Sequence, residues 1–215
     1  MKKIAVLISG SGSNLEAIAE ACRTNKINGK IVCVISNNPD AYGLKRAKKF
    51  NLQSVVIDHN SFASRTEFEN KIENSLDSYD VDLIVLAGFM RILGENITKK
   101  YFGKMINLHP SLLPKYPGLD THKKVLQNGD AKHGISIHYV TPELDAGPII
   151  AQGAINITRD ENIESIEKRI HMIEHQLLPE IINEICCENI YLDVNTVAYG
   201  DEMDVTDHIL INYDE

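Results

Sequence analysis

Five short apolar runs in the first half of the chain constrain its fold most: residues 4–8, 31–35, 54–57, 81–87 and 104–108. They are rich in β-branched side chains, which is typical of strands buried on both faces of a parallel sheet. Helical patterns separate the first four, at residues 15–23, 41–50 and 64–76. This alternation predicts a doubly wound, mostly parallel α/β sheet. Ligands of such sheets bind at the carboxyl ends of the strands.

The second half of the chain has a different pattern. Residues 134–140 alternate polar and apolar side chains, and a Pro/Gly-bounded turn at 141–148 precedes a further strand at 149–152, so a hairpin is predicted. Thr158 and Glu161 have the spacing of a capping box for a last long helix, which Pro179 is expected to kink or divide. The tail from residue 190 has the pattern of short strands and an acidic end, a C-terminal antiparallel extension.

Composition limits the function classes. The 215 residues, 43% of them hydrophobic, suit one globular domain. No apolar run reaches the roughly 18 residues of a membrane helix, and the N-terminus has the pattern of a strand, not of a signal peptide. The net charge of −8 and the lack of a basic, aromatic-rich cluster disfavour a nucleic-acid partner. Four cysteines without C-x-x-C spacing suggest reduced thiols and a cytoplasmic protein.

A Gly/Ser loop at residues 9–14 links the first strand to a helix. Free backbone N–H groups and the helix dipole make such a junction suitable for phosphate, and Ser13 with Glu16 is predicted to form a capping box. The dinucleotide fingerprint fails because Leu15 takes the place of its third glycine, and no P-loop lysine follows. The loop therefore suits one phosphate, although turns of this kind without a ligand are equally common.

Asn107 and His109 stand two residues apart where the fifth strand ends, so both side chains point the same way. Pro110, Pro114 and Pro117 stiffen the loop that follows. Asp145, in the 141–148 turn, is a candidate third member near the same edge of the sheet. A carboxylate there would favour the protonated imidazole and make His109 a general acid. An alternative interpretation is that His109 is a structural histidine and that Asp145 serves only to form the turn.

Other histidines have competing interpretations. His171, Glu174 and His175 match H-x-x-E-H, a zinc-hydrolase pattern, but little chain remains for a third ligand. Glu174 at a pocket edge, accepting hydrogen bonds from sugar hydroxyls, is a simpler interpretation. His133 and His138 are predicted to point to opposite faces of a strand and to be structural. No partner is evident for His59, His122 and His208.

Four segments, residues 8–15, 86–93, 107–118 and 138–148, occur in one order that closely resembles the folate-dependent phosphoribosylglycinamide formyltransferases of purine synthesis. The resemblance runs from residue 4 to about residue 179. It implies one Rossmann-like formyltransferase domain with a phosphate-binding half (1–100), a catalytic and folate-binding half (101–188) and a tail (189–215). Ser11 and Ala146 depart from the family pattern, and both are small enough that no loss of function is expected.

The resemblance also implies roles for individual residues. By this resemblance, the catalytic residues are Asn107, His109 and Asp145. The ribosyl substrate would contact Gly12, Ser13 and Asn14 through its phosphate and His171, Met172, Ile173 and Glu174 through its sugar and glycinamide. The folate would contact Arg65, Met90, Arg91, Ile92, Leu93, Asn107, Thr141, Pro142, Glu143, Leu144 and Asp145. A cis Leu113–Pro114 bond is suggested as well.

The implied reaction is direct transfer of the formyl group of 10-formyltetrahydrofolate to the glycinamide amine, with no metal. The partners are then small molecules, with neither nucleic acid nor membrane, and the chain is a monomer or a homodimer. Formyltetrahydrofolate hydrolase is the nearest alternative, and methionyl-tRNA formyltransferase is disfavoured because the acidic chain has no room for an RNA-binding domain. A non-catalytic nucleotide-binding module and a zinc hydrolase are alternatives of other classes.

Overall fold

The computed structural model describes residues 1–158, 160–200, 203, 205 and 208–214. Its strands are β1 (Lys2–Ile8), β2 (Gly29–Ser36), β3 (Ser54–Val56), β4 (Leu83–Leu86), β5 (Met105–His109), β6 (Lys132–Tyr139), β7 (Ile149–Asn156), β8 (Ile190–Asp193), β9 (Thr196–Tyr199) and β10 (Ile209–Asn212). Its α-helices are α1 (Ser13–Arg23), α2 (Tyr42–Lys49), α3 (Arg65–Tyr79), α4 (Glu95–Lys100), α5 (Thr121–Asn128) and α6 (Ile163–Cys186).

Eight strands form one sheet in the order β10-β7-β6-β5-β4-β1-β2-β3. Neighbours pair in parallel except that β6 is antiparallel to both β5 and β7. The predicted mostly parallel α/β sheet and its β6–β7 hairpin are therefore confirmed. The tail supplies the antiparallel β8–β9 hairpin, and its last strand, β10, joins the main sheet parallel to β7.

Helices cover both faces of the sheet, and each face buries its own apolar cluster. Ile4, Val6 and Ile8 of β1 point to the face that packs against α1 and α6. Ala5 and Leu7 point to the opposite face, which packs against α3 and α4. This is the period of two expected of a strand buried on both sides. No helix of the described part of the chain is long and apolar enough to cross a membrane.

Two predicted helix caps are wrong. Gly12, not Ser13, is the N-cap of α1, with φ of 71°, and a Cβ there would lie 2.5 Å from the Cα of Gly43. A close approach of two backbones selects glycine at this position. Asn162, not Thr158, caps α6, because its Oδ1 accepts the N–H of Ser165 at 2.9 Å. Ser64 caps α3, since its Oγ accepts the N–H of Glu67 at 3.2 Å.

Pro179 does not divide the last helix. α6 continues from Ile163 to Cys186 with Pro179 inside it. A proline removes one helical hydrogen bond, but Leu177, Leu178 and Ile181 are buried around it and hold the helix against the sheet. The short helix α4 has no counterpart among the predicted elements.

Candidate active site

Asn107 and His109 lie on β5 and face the antiparallel neighbour β6, where His138 pairs with Asn107. Nδ1 of His138 donates to the carbonyl of Tyr139 at 2.9 Å, so Nε2 is the acceptor nitrogen of the neutral ring. Burial lowers the pKa of His138 and keeps the ring neutral. The Nδ2 of Asn107 therefore donates to Nε2 of His138, at 3.2 Å, and this fixes the orientation of the amide.

His109 is only 5% exposed, and both of its ring nitrogens face acceptors. Nε2 donates to the carbonyl of Tyr116 at 2.8 Å. Nδ1 lies 3.4 Å from Oδ2 of Asp145, an ion-pair distance. Since a carbonyl and a carboxylate can only accept, this environment suits an imidazole that carries protons on both nitrogens.

Asp145 lies among Asn107, His109 and His138, and these four side chains are called the polar cluster below. Its Oδ2 accepts the backbone N–H of Gly118 at 2.8 Å, and its Oδ1 lies 3.4 Å from Nδ2 of Asn107 and 3.8 Å from Nε2 of His138. The turn that carries Asp145 was predicted near the edge of the sheet where β5 ends. In the structure it leaves β6 at the opposite end, level with Met105, the first residue of β5, and folds back over the sheet to reach His109.

Residues 110–118, called the 110–118 loop below, are held by hydrogen bonds within the loop and to Asp130. Ser111 Oγ donates to the carbonyl of Lys115 at 2.6 Å, and Tyr116 Oη donates to Oδ2 of Asp130 at 2.9 Å. The Leu113–Pro114 bond is cis, as the resemblance suggested. The Tyr116 carbonyl that accepts from His109 is thus carried on a braced backbone.

A cleft of about 600 Å³ opens beside the polar cluster and is called the central cleft below. It holds the predicted folate contacts Met90, Arg91, Ile92, Leu93, Asn107, Thr141, Pro142, Glu143, Leu144 and Asp145. Several large apolar side chains that are exposed in the protein belong to its wall: Met90, Ile92, Leu119, Leu144 and Ile163. Apolar walls with a few convergent polar groups are typical of a small-molecule site.

Arg65 lies outside the lining of the central cleft. It pairs with Glu69, with 2.6 Å between Nε and Oε1, and the same carboxylate oxygen accepts the N–H of Gly94 at 2.7 Å. Gly94 follows Leu93 of the cleft wall directly, so Glu69 links Arg65 to that wall.

The Gly/Ser loop lies at the N-terminus of α1, where Gly12, Ser13 and Asn14 were predicted to hold a phosphate. Nδ2 of Asn14 donates to Oε2 of Glu174 at 3.0 Å, while Oδ1 of Asn14 is buried with no partner among the described residues. Glu174 is 6% exposed, and burial raises the pKa of its carboxyl group. The two residues thus form a buried polar pair beside the N-terminus of α1, the end of a helix at which anions are favoured.

The other members of the predicted sugar-binding segment differ in exposure. His171 and Met172 are exposed on α6, whereas Ile173 is buried and its side chain lies against Gly153. The rings of His171 and His175 stack with their centroids 6.2 Å apart, and Glu174 turns away to Asn14. Within the described ranges, no group of three or more His, Cys, Asp or Glu side chains is arranged to hold a metal ion.

A family model described as formyl transferase matches residues 2–182. The chain belongs to the formyl transferase family. A phosphoribosylglycinamide formyltransferase of Escherichia coli (strain K12) is 46% identical over 180 residues, which cover 84% of this chain and 85% of that protein. One of Bacillus subtilis (strain 168) is 40% identical over 185 residues, covering 86% and 95%.

Solved structures agree with this assignment. A phosphoribosylglycinamide formyltransferase of Coxiella burnetii, in complex with CHES, superposes with a TM-score of 0.92 at 44% identity and covers 98% of this chain and 99% of its own. A glycinamide ribonucleotide transformylase 1 of Symbiobacterium toebii gives a TM-score of 0.90 at 37% identity, covering 94% and 95%.

Sequence reasoning missed two features of this formyl transferase. His138 was predicted to be structural, yet it contacts Asn107 in the polar cluster. His122 was given no partner, yet its Nδ1 lies 2.8 Å from Nε2 of the buried His133, and His122 lines the central cleft. Burial lowers the pKa of His133 to about 4. The antiparallel register of β6 on β5 would have revealed His138, but the sequence does not supply that register.

Proposed function

We propose that this formyl transferase moves the formyl group of 10-formyltetrahydrofolate to the amine of 5'-phosphoribosylglycinamide, a step of de novo purine synthesis. The observation that carries the proposal is the contact of Asp145 with both His109 and Asn107 beside the central cleft. The names of the relatives support the substrate assignment, because the chain covers most of their length.

The central cleft is the proposed site of the folate. Its volume of about 600 Å³ suits a drug-sized ligand, and the side chains of Met90, Ile92 and Leu144 offer apolar surface to flat rings. The pterin would contact backbone groups of the 90–93 and 141–145 segments. The formyl group would then lie at the polar end, next to Asn107 and His109. Arg65 lies outside the cleft lining, and we propose that it contacts the charged tail of the folate.

The N-terminus of α1 is the proposed site of the phosphate of the second substrate. Gly12, Ser13 and Asn14 supply backbone N–H groups there, and the helix dipole favours an anion. Glu174 is proposed to accept hydrogen bonds from the ribose hydroxyls, with His171 and Met172 on the exposed side of the sugar. The contribution of Ile173 is limited to its backbone, because its side chain is buried.

The chemistry follows from the polar cluster. The substrate amine attacks the formyl carbon, a new C–N bond forms, and the carbonyl oxygen gains negative charge. Asn107 donates to this oxygen through the N–H that faces Asp145 at a long 3.4 Å, since its other N–H is held by His138. Protonated His109 adds positive charge. Asp145 stabilises that charge and passes the amine proton towards the folate nitrogen as the old C–N bond breaks.

The experiment that tests the proposal supplies the protein with 10-formyltetrahydrofolate, with and without phosphoribosylglycinamide, and follows tetrahydrofolate. Release that requires the ribonucleotide supports transfer. Release in water alone, with formate as the product, supports a hydrolase and would contradict the proposal.

A further inference from the structure

Part of the chain beyond the family match reaches back towards the catalytic histidine. The match ends at residue 182, and His208 lies well past it, just before β10. Nε2 of His208 lies 3.1 Å from Oε1 of Gln152 on β7. Gln152 is 7% exposed, so its amide must satisfy its hydrogen bonds inside the protein.

The amide of Gln152 has only one orientation that fits its neighbours. Its Nε2 donates to the carbonyl of Leu113 at 2.9 Å and to Oγ of Ser136 at 2.8 Å, which uses both of its hydrogens. Oε1 is left as an acceptor, so Nε2 of His208 must be the donor to it. The tail thereby holds the amide in the orientation that the 110–118 loop requires.

Ser136 continues the network to the loop. Its hydroxyl accepts the N–H of Leu113 at 2.9 Å and donates to the carbonyl of Ser111 at 2.7 Å. Both backbone polar groups of Leu113 are thus held by buried side chains. The hydroxyl of Ser111 donates mainly to the carbonyl of Lys115 at 2.6 Å and also lies 3.2 Å from the carbonyl of Tyr116, which accepts from Nε2 of His109. A buried polar network that is fully satisfied holds its members in one arrangement.

We propose that His208 and Gln152 are positioning residues for His109. His208 fixes the amide of Gln152, Gln152 fixes Leu113 and Ser136, and the 110–118 loop then presents the Tyr116 carbonyl to the imidazole. The tail in this way supports the active site through Gln152. The kinetic consequence rests on the proposed formyl transfer, whereas the ordering of the loop does not.

The test compares His208→Ala, His208→Gln and Asp214→Asn in the full chain. Asp214 anchors the same tail elsewhere, through its 2.7 Å contact with Arg169 and the N–H of Asn156, and it does not touch Gln152. We expect His208→Ala to lower kcat about tenfold with little change in either KM, because misplaced catalytic groups lower turnover rather than binding. His208→Gln keeps an N–H donor and restores kcat, and Asp214→Asn lowers the melting temperature but not kcat.

Hydrogen exchange of the Leu113 amide, measured by NMR without substrates, supplies a readout that is independent of activity. We expect it to accelerate in His208→Ala and to stay at the wild-type rate in His208→Gln and Asp214→Asn. Equal losses of kcat in His208→Ala and Asp214→Asn, or unchanged Leu113 exchange in His208→Ala, would overturn the proposal. If wild-type protein transfers no formyl group while Leu113 exchange behaves as expected, the proposed function fails and the positioning role stands.

Discussion

The carboxylate of Asp145 lies 3.4 Å from Nδ1 of His109, within an ion-pair distance, although His109 lies at the end of β5 and Asp145 in the turn after β6. The contact forms because the segment after β6 folds back over the sheet and is held there by the N–H of Gly118. Both side chains are almost fully buried, so their charges act in a medium that screens less than water. The pair is therefore the feature on which the proposed chemistry depends.

Asp145→Asn tests that pair with little change in size. The variant keeps an acceptor for Gly118 but removes the charge that stabilises protonated His109. We expect kcat to fall about 10²–10⁴-fold, the range of acid–base catalysis, with KM values within a few-fold of wild type. Steady-state kinetics checks this. Asp130→Asn, at a carboxylate that also braces the 110–118 loop, is the matched control, and we expect it to retain most of kcat. Equal losses of kcat in the two variants would mean that Asp145 supports the folded structure and has no part in catalysis.

Glu174→Gln tests the proposed ribose contact. The change removes a buried carboxylate while keeping a group that can accept from Asn14. We expect KM for the ribonucleotide to rise roughly tenfold or more, because hydrogen bonds to a charged group contribute about 1.5–3 kcal/mol, and KM for the folate to stay the same. Glu180→Gln, at an exposed position of α6, serves as the control. A change confined to the folate KM would contradict the assignment.

The apolar wall of the central cleft gives a binding prediction. Leu144 is 50% exposed in the free protein, so its replacement by Asn removes apolar surface that a bound folate would cover. We expect Kd for tetrahydrofolate to rise about fivefold, equivalent to about 1 kcal/mol, with an unchanged melting temperature. Calorimetric titration measures it. Tyr191→Asn, at a residue 51% exposed on β8 away from the cleft, should leave Kd unchanged.

Burial of His133, which His122 contacts, predicts how stability depends on pH. Burial lowers the pKa of His133 to about 4 in the folded protein, below the usual ~6.5 of the unfolded chain. The unfolded chain therefore binds a proton first, and this stabilisation is complete above pH ~6.5 and is lost as the pH falls towards 4. Denaturant unfolding at a series of pH values gives the free energy of unfolding as a function of pH. We expect its slope in wild type to exceed that in His133→Gln by up to about 1.4 kcal/mol per pH unit. Identical slopes between pH 6.5 and 4.5 would show that His133 does not contribute.

Local patterns in the sequence predict the central sheet well, because β1, β2 and β4 are buried on both faces and their apolar runs need no knowledge of their neighbours. They predict the cluster only in part. Asn107 and His109 share a face through spacing alone, whereas His138 joins them through the register of β6 on β5. Gly12 caps α1 because its backbone lies close to that of Gly43. His208 contacts Gln152 because the tail returns to the main sheet. Such long-range relationships arise when the chain folds and leave no local pattern.

The fate of the formyl carbon tests the proposed transfer most directly. 10-Formyltetrahydrofolate labelled with ¹³C in the formyl group is mixed with phosphoribosylglycinamide and the protein, and the label is traced by mass spectrometry in wild type and His109→Ala. We expect the label to appear as an N-formyl group on the former amine of the ribonucleotide, and His109→Ala to form this product about 10²–10⁴-fold more slowly. Label recovered as formate, or equal rates in the two proteins, would contradict the proposed transfer.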